Sequence, residues 1–183
     1  MGYVDIIEKL SKALKPVSEG QDATAAVAIL LKPVDQDIKI LFVKRAESPT
    51  DPWSGQMAFP GGKRDAKDQN LKQTVVRETL EETNINLLDG ASFLGVMEAL
   101  SPGRRLEMKI LPFVVLLDYE PTIRLNENEL MSFVWISLEK LAQLQSSVEF
   151  SFGKFPAYII GDNVIWGLTY RIVKKVVQAL ESN

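Results

Sequence analysis

Residues 61–82 read GGKRDAKDQNLKQTVVRETLEE: two glycines, an acidic turn, then a helix-length run ending in glutamates. The spacing predicts a helix over 71–83. At about 100° per residue, Glu78, Glu81 and Glu82 share one arc roughly 100° wide, with Val76, Thr79, Leu80 and Thr83 on the opposite side and Arg77 at the border. Three carboxylates at i, i+3 and i+4 repel one another, and the 78/82 pair alone costs a few tenths of a kcal/mol on a solvated helix. Nothing in local stability favours that pattern, whereas a divalent cation turns the repulsion into coordination. Gly61 and Gly62 let backbone approach a ligand closely, where carbonyls reach a metal and N–H groups a phosphate. Phe59-Pro60 fixes an extended entry into the turn. An acidic helix face by itself is an ordinary solvated surface. Joined to the glycine turn and to Arg-Glu-x-x-Glu-Glu, it reads as a site.

Working outward, residues 3–15 read as a helix, with Val4, Ile7, Leu10 and Leu14 on one face. Apolar runs at 24–32 and 38–45 read as strands joined by a short turn, hence a hairpin. Residues 46–68 form a long Pro- and Gly-containing loop broken by one short apolar piece at 57–59, and a loop of that length in a compact domain is usually functional. Further strands are expected at 91–99, 110–118 and 131–136. Ser137 reads as the N-cap of a short helix over 138–144. A closing helix over 164–180 carries Ile165, Leu168, Ile172, Val176 and Leu180 on one stripe. Strands and helices mix without regular alternation, which predicts an α/β fold with a mixed sheet flanked by helices.

Composition bounds the chemistry. The chain has 183 residues with no cysteine and no histidine. This excludes Ser-His-Asp and Cys-His catalysis, disulfides and Cys or His metal sites. Acid–base and metal work falls to Asp, Glu, Lys, Tyr or backbone, and oxygen-only ligation favours magnesium or manganese. Lys plus Arg is 21 and Asp plus Glu is 24, a net charge of −3, without the basic excess of a nucleic-acid binder. The longest apolar run, 25–31, is too short to span a bilayer. The first residues lack the order of a signal peptide, and Ile6 stands where a myristoylation signal needs Ser or Thr. The expectation is a cytoplasmic protein without membrane or nucleic-acid partners.

The segment 61–85 resembles the signature of Nudix hydrolases, G-x5-E-x7-R-E-U-x-E-E-x-G-U with U apolar. Gly62, Arg77-Glu78, Glu81-Glu82 and Ile85 match it. Asp68 takes the first acidic position, the spacer to Arg77 is one residue longer, Thr79 stands at an apolar position, and Asn84 replaces the second glycine. Asn84 tolerates the left-handed conformation that ends a helix. LFVKRAESPTDPWSGQMAFPGGKRDAKD and FPAYIIGDNVIWGLTYRI are similar to the coenzyme A pyrophosphatase-like branch, and MSFVWISLEKL is similar to members of the family. That branch commonly carries a histidine-containing stretch before FPGG, where this chain has Asp51-Pro52-Trp53-Ser54.

The resemblance implies a Nudix-type α/β/α sandwich with a central mixed sheet. It implies one hydrolase domain over 1–183, with 1–20 as an N-terminal helical extension. The implied activity is metal-dependent hydrolysis of a diphosphate bond in a nucleoside diphosphate derivative. Coenzyme A or a related compound is the leading substrate; ADP-ribose, a dinucleotide or an oxidised nucleoside triphosphate are alternatives, and a non-catalytic nucleotide-binding module is the alternative of another class. The implied cofactor is Mg2+, which Mn2+ can replace, held by the Gly62 carbonyl, Glu81, Glu82 and Glu78, with Glu78 as ligand or general base. Arg77 orients the glutamates. A further acid is sought among Glu127, Glu129 and Glu98, with Glu129 as the catalytic candidate. Lys63, Arg64, Arg104 and Arg105 are candidate phosphate contacts and Trp53 a stacking residue, while Trp135, Trp166 and Tyr170 are assigned to the core. Specificity is expected from 46–58, 99–109 and the C-terminal segment. The sequence does not give the oligomeric state; the resemblance allows a homodimer, for which the N-terminal helix or the C-terminal stripe could supply the interface.

Overall fold

The computed structural model describes residues 2–18, 22–51, 53–103 and 107–181. Its frame is the hairpin of β1 (Ala25–Val34) and β2 (Asp37–Arg45), turning at Asp35 with φ 55°. The two strands pair only near the turn, Leu31 with Ile40 through Val34 with Asp37. Beyond that they splay, and two short strands fill the gap. β3 (Met57–Ala58) pairs with β2, and β4 (Gly61–Lys63) pairs with β1. The turn at Phe59-Pro60 therefore sits inside the wedge, with the Ala28 N–H donating to the Pro60 carbonyl at 2.8 Å.

The sheet is mixed. On the other edge of β1, β6 (Ile110–Leu117) runs parallel, and β5 (Ala91–Val96) runs antiparallel beyond it. β7 (Leu130–Ser137) pairs antiparallel with the outer edge of β2. Strand periodicity sends alternate side chains to two cores. Ala26, Ala28 and Leu30 of β1 and Leu111, Phe113 and Val115 of β6 meet Leu71 and Val75 of α2 (Leu71–Thr83). Ile29 and Leu31 of β1 and Ile38, Ile40 and Phe42 of β2 face the opposite layer. That layer contains α1 (Tyr3–Ala13), α3 (Leu138–Gln143) and α4 (Gly167–Glu181). The result is an α/β/α sandwich, and its central strands read as continuous apolar runs because both faces are covered.

α2 occupies the span read from the sequence. Asn70 caps it, its side-chain oxygen accepting from the Gln73 N–H at 3.0 Å. It ends at Asn84, left-handed at φ 62°, whose N–H donates to the Leu80 carbonyl at 2.9 Å. The packed side is the expected one in part: Thr79 and Thr83 are buried and Val76 packs against the core, but Leu80 leaves it and Glu82 joins it. Leu71, Thr74, Val75, Thr79, Glu82 and Thr83 are buried, whereas Leu80 is 43 % exposed. The glutamate arc thus overlaps the buried face, because α2 leans on the wedge formed by β1 and β4 rather than on an apolar sheet alone.

Three further departures concern the C-terminal third. A second sheet of β8 (Gln145–Phe150), β9 (Gly153–Ile160) and β10 (Asn163–Trp166) stands where only the short helix before it was read. Residues 163–166 are strand, and Gly167, left-handed at φ 63°, separates them from α4. The stripe on α4 does not serve as an outer interface, since Ile172, Val176 and the neighbouring Val173 lie in the core together with Ile6 and Leu10 of α1. Among the described residues no helix is long and apolar enough to cross a membrane.

Candidate active site

The glycine strand and the glutamate helix meet face to face. Gly61 has φ 145° and lies so close to the Ala26 carbonyl that a Cβ has no room. Its N–H donates to Glu82 Oε2 at 2.8 Å. Gly62 has an ordinary φ, but a Cβ there would stand 2.5 Å from the Glu78 carboxyl carbon. The two glycines are therefore required for different reasons, backbone geometry at the first and room for a carboxylate at the second.

Arg77 organises the outer side. Its Nε and Nη2 donate to the two oxygens of Asp68 at 3.1 and 2.9 Å, a bidentate pair that ties the acidic turn to α2. Its Nη1 donates to Glu78 Oε1 at 2.9 Å and to Glu81 Oε2 at 3.1 Å. Asp68 also accepts the Asp65 N–H at 2.9 Å. The Arg77 hydrogen bonds hold its carboxyl below the usual carboxylate range, and Asp68 in turn strengthens the charge on Arg77. The longer spacer before Arg77 is absorbed in this turn without loss of the contact.

The inner carboxylates behave oppositely. Glu82 is 3 % exposed, and burial pushes its carboxyl up to about 8 against the single Gly61 hydrogen bond, with Glu78 and Glu129 adding like charge. Burial also raises Glu78, despite Arg77. Glu129 reaches the site because residues 124–130 fasten to the end of α2. The Arg124 N–H donates to the Thr83 carbonyl at 3.0 Å and the Asn126 N–H to the Glu82 carbonyl at 2.9 Å. The Asn126 side-chain amide then donates to Glu129 Oε1 at 2.9 Å.

A cavity of about 690 Å³ opens above these groups, and Gly62, Lys63, Trp53, Glu78, Glu82 and Glu129 all line it. Glu81 lies at its outer side, half exposed and paired with Arg77. Arg64 turns away, its guanidinium donating to the Asp68 and Gln69 carbonyls, and is corrected from a phosphate contact to a brace of the acidic turn. Arg104 and Arg105 lie outside the described residues. Glu98 pairs with Lys175 at 3.0 Å, and neither it nor Glu127 lines the cavity. Trp166 is corrected from the core to the cavity wall, backed by Phe150 with ring centroids 4.6 Å apart. Tyr170 is buried against Tyr158, and Trp135 is partly buried with Lys32 Nζ 4.5 Å over its ring. Sequence reading missed Arg45 and Asp51, an ion pair at 2.8 Å whose arginine lines the cavity. Burial alone would raise the Asp51 carboxyl, but the Trp53 N–H and Arg45 hold it below its ordinary value.

The donor set suits a hard divalent cation: every candidate ligand is an oxygen, and the carboxyls of the buried Glu82 and the partly buried Glu78 resist ionising without a counter-charge. Among the described residues no three acidic side chains are gathered as a ready cage, since Glu81 is engaged by Arg77 and Glu129 by Asn126.

The family model described as the NUDIX domain matches residues 22–156. An uncharacterized protein of Schizosaccharomyces pombe is 38% identical over 107 residues, 56% of this chain and 32% of its own length. A peroxisomal coenzyme A diphosphatase of Caenorhabditis elegans is 31% identical, covering 69% of this chain and 53% of its own. The chain thus spans about a third to a half of these two relatives. A mitochondrial coenzyme A diphosphatase of Homo sapiens is 29% identical over 86% of this chain and 70% of its own. Among solved structures, the NUDIX domain of Shewanella oneidensis NrtR, complexed with ADP ribose, superposes with a TM-score of 0.56 at 17% identity. It covers 94% of this chain and 97% of that one.

Proposed function

Because the chain belongs to the NUDIX family, we propose that it hydrolyses the diphosphate bond of a nucleoside diphosphate derivative with the help of a divalent cation. Coenzyme A or a related compound is the first substrate to test. The observation that carries the reading is the buried Glu82 under the Gly61 N–H, beside Glu78 in a cavity far larger than a diphosphate. Glu82, Glu81 and the Gly62 carbonyl are the groups to hold magnesium or manganese, with Glu78 as a further ligand. Held there, such an ion would supply positive charge against the diphosphate and lower the pKa of a water. The protein's own work is to accept the proton of the attacking water, at Glu78 or at the neighbouring Glu129, and to fix the carboxylates through Arg77. No histidine is required, since a carboxylate can accept the proton of a water that a bound cation would make more acidic. Lys63 faces the same space as a cation for phosphate, and Trp53 as a flat surface for a base or an amide chain.

The choice of coenzyme A is supported by the two relatives named as coenzyme A diphosphatases and by the similarity of the flanking segments. The deciding measurement is turnover with magnesium on coenzyme A, ADP-ribose, NADH, diadenosine polyphosphates and nucleoside triphosphates, with products identified by mass. Release of 3′,5′-ADP and phosphopantetheine is expected. AMP from ADP-ribose alone would overturn the substrate, and binding without product in any metal would overturn the hydrolase. Glu82→Gln and Glu81→Gln are each expected to lower turnover at least a hundredfold while the protein stays folded. Full activity in folded Glu82→Gln would remove the mechanism.

A further inference from the structure

The cavity wall carries one charged pair that the glutamate chemistry does not use. Arg45 closes β2, and its backbone is fixed on both sides. Its N–H donates to the Gln56 carbonyl at 3.0 Å, and the next N–H, of Ala46, donates to the Glu129 carbonyl at 2.8 Å. The side chain is held too, with Nε donating to Asp51 Oδ2 at 2.8 Å. Among the described residues its two Nη groups meet no acceptor, although Arg45 lines the same cavity as Glu78, Glu82 and Glu129.

Asp51 is itself locked in place. Its Oδ1 accepts the Trp53 N–H at 3.0 Å, its own N–H donates to the Ser48 carbonyl, and its carbonyl accepts the Ser54 N–H. Ser48, Trp53 and Ser54 are thereby tied to this one residue. Both side chains are mostly buried, at 31 and 18 % exposed.

An arginine free to move in a cavity with three carboxylates would fold onto them, because a guanidinium and a carboxylate form strong bidentate pairs. It would then occupy the oxygens that a cation needs. With Nε held by Asp51, the fork is restrained and its amino groups stay available in the cavity. We propose that Arg45 is the residue that receives an anionic phosphate oxygen of the substrate, and that Asp51 is the positioning residue that aims it and keeps it off the carboxylates. The inference rests on the reading of the cavity as a diphosphate site. It assigns a phosphate-receiving cation on the same cavity wall as the metal-holding glutamates, near enough for its charge to act on Glu82.

The test uses ADP and magnesium as separate probes of the whole chain, by calorimetry, on the wild type, Arg45→Ala, Arg45→Lys, Asp51→Asn and the Arg45→Ala/Asp51→Asn double variant. ADP binding is expected to weaken about tenfold or more in Arg45→Ala, less in Arg45→Lys, and severalfold in Asp51→Asn, with no added loss in the double variant. Magnesium binding without nucleotide is expected to weaken in Asp51→Asn, where the released arginine competes for the carboxylates, and to recover when Arg45 is also removed. A role for Asp51 in loop stability alone would not give that recovery. Additive losses in the double variant, or wild-type binding of both probes by Asp51→Asn, would overturn the proposal. Should Asp51→Asn fail to fold, Arg45→Gln carries the test, since it leaves the Asp51–Trp53 turn intact; unchanged ADP affinity there would overturn the proposal. Binding that follows the expected pattern without hydrolysis of any diphosphate removes the proposed reaction and leaves this assignment. Hydrolysis untouched by these variants removes the assignment alone.

Discussion

At the scale of single residues, Glu82 sets the pH behaviour. Its carboxyl is buried with one N–H donor, too few to stabilise a charge, and its proton is held up to about 8 in the folded chain. The unfolded chain releases that proton near the ordinary value of 4.5. Between those values the folded state binds more protons than the unfolded one, so stability falls as pH rises through the window and is fully present below it. Glu78 is shifted in the same direction. Asp68 works oppositely: its ion pair stabilises above the ordinary Asp value of 3.8 and is lost only in stronger acid, outside the window. The melting temperature of chelator-treated protein is therefore expected to fall by roughly 5 °C or more between about pH 5 and pH 8. Glu82→Gln should flatten most of that slope, and magnesium should reverse it, since a cation binds the ionised carboxylates. The same slope in Glu82→Gln would show that Glu82 is not the group. Residues of this kind were legible unequally. Arg77 and the glutamates announce themselves because their spacing is costly on any free helix. Arg45 and Asp51 look in the sequence like two ordinary surface charges six residues apart, and only the hydrogen bonds that tie Asp51 to Ser48, Trp53 and Ser54 set it against Arg45.

At the scale of elements, β4 and α2 form one unit, and their contact makes a sharp contrast between two neighbours. Gly61→Ala forces a side chain into a positive-φ position against the Ala26 carbonyl, and is expected to lower stability by about 1–3 kcal/mol, read by thermal or denaturant melting. Gly62→Ala needs no unusual backbone, but its methyl meets the Glu78 carboxylate. The expected result is a folded protein with turnover lowered far more than stability. Equal effects of the two variants on melting and on turnover would refute the separation. The bounds of α2 were readable because a polar cap, a 13-residue run and an αL-tolerant Asn84 all agree locally. Which face it buries was readable only in part: Thr79 and Thr83 pack as their spacing indicates, but helical spacing does not show that Glu82 of the polar arc would face a glycine strand while Leu80 stays exposed. β8 and β9 were missed for a related reason. Gln145–Phe150 is largely exposed and carries little of the apolar alternation that marks a strand. Val164 and Ile165 fit a helix stripe as well as a strand, and only Gly167 divides the two.

At the scale of the whole molecule, the two cores have separable roles. α2 and its core hold the carboxylates from one side of the sheet. On the other side α1, α3 and α4 form the larger core, and α4 contributes Leu168, Thr169 and Ile172 to the cavity wall. The N-terminal helix is therefore integral rather than an appendage. Leu10 is 2 % exposed in that core, the Lys9 ammonium donates to the Leu180 carbonyl at 3.0 Å, and Lys15 bridges to Val96 through both backbone hydrogen bonds at 2.9 Å. Leu10→Ala is expected to cost about 2–5 kcal/mol, because it deletes buried methyls and leaves a cavity under α4. The loss appears as a lower denaturant midpoint with an unchanged slope. Well below the new melting point, turnover by the proposed hydrolase should stay within about twofold of wild type, since Leu10 does not line the cavity and no carboxylate of the site belongs to its core cluster. A turnover loss that tracks the stability loss at low temperature would mean that the α4 wall, not the α2 carboxylates, limits the reaction, and would move attention to Trp166 and Thr169 as determinants of rate.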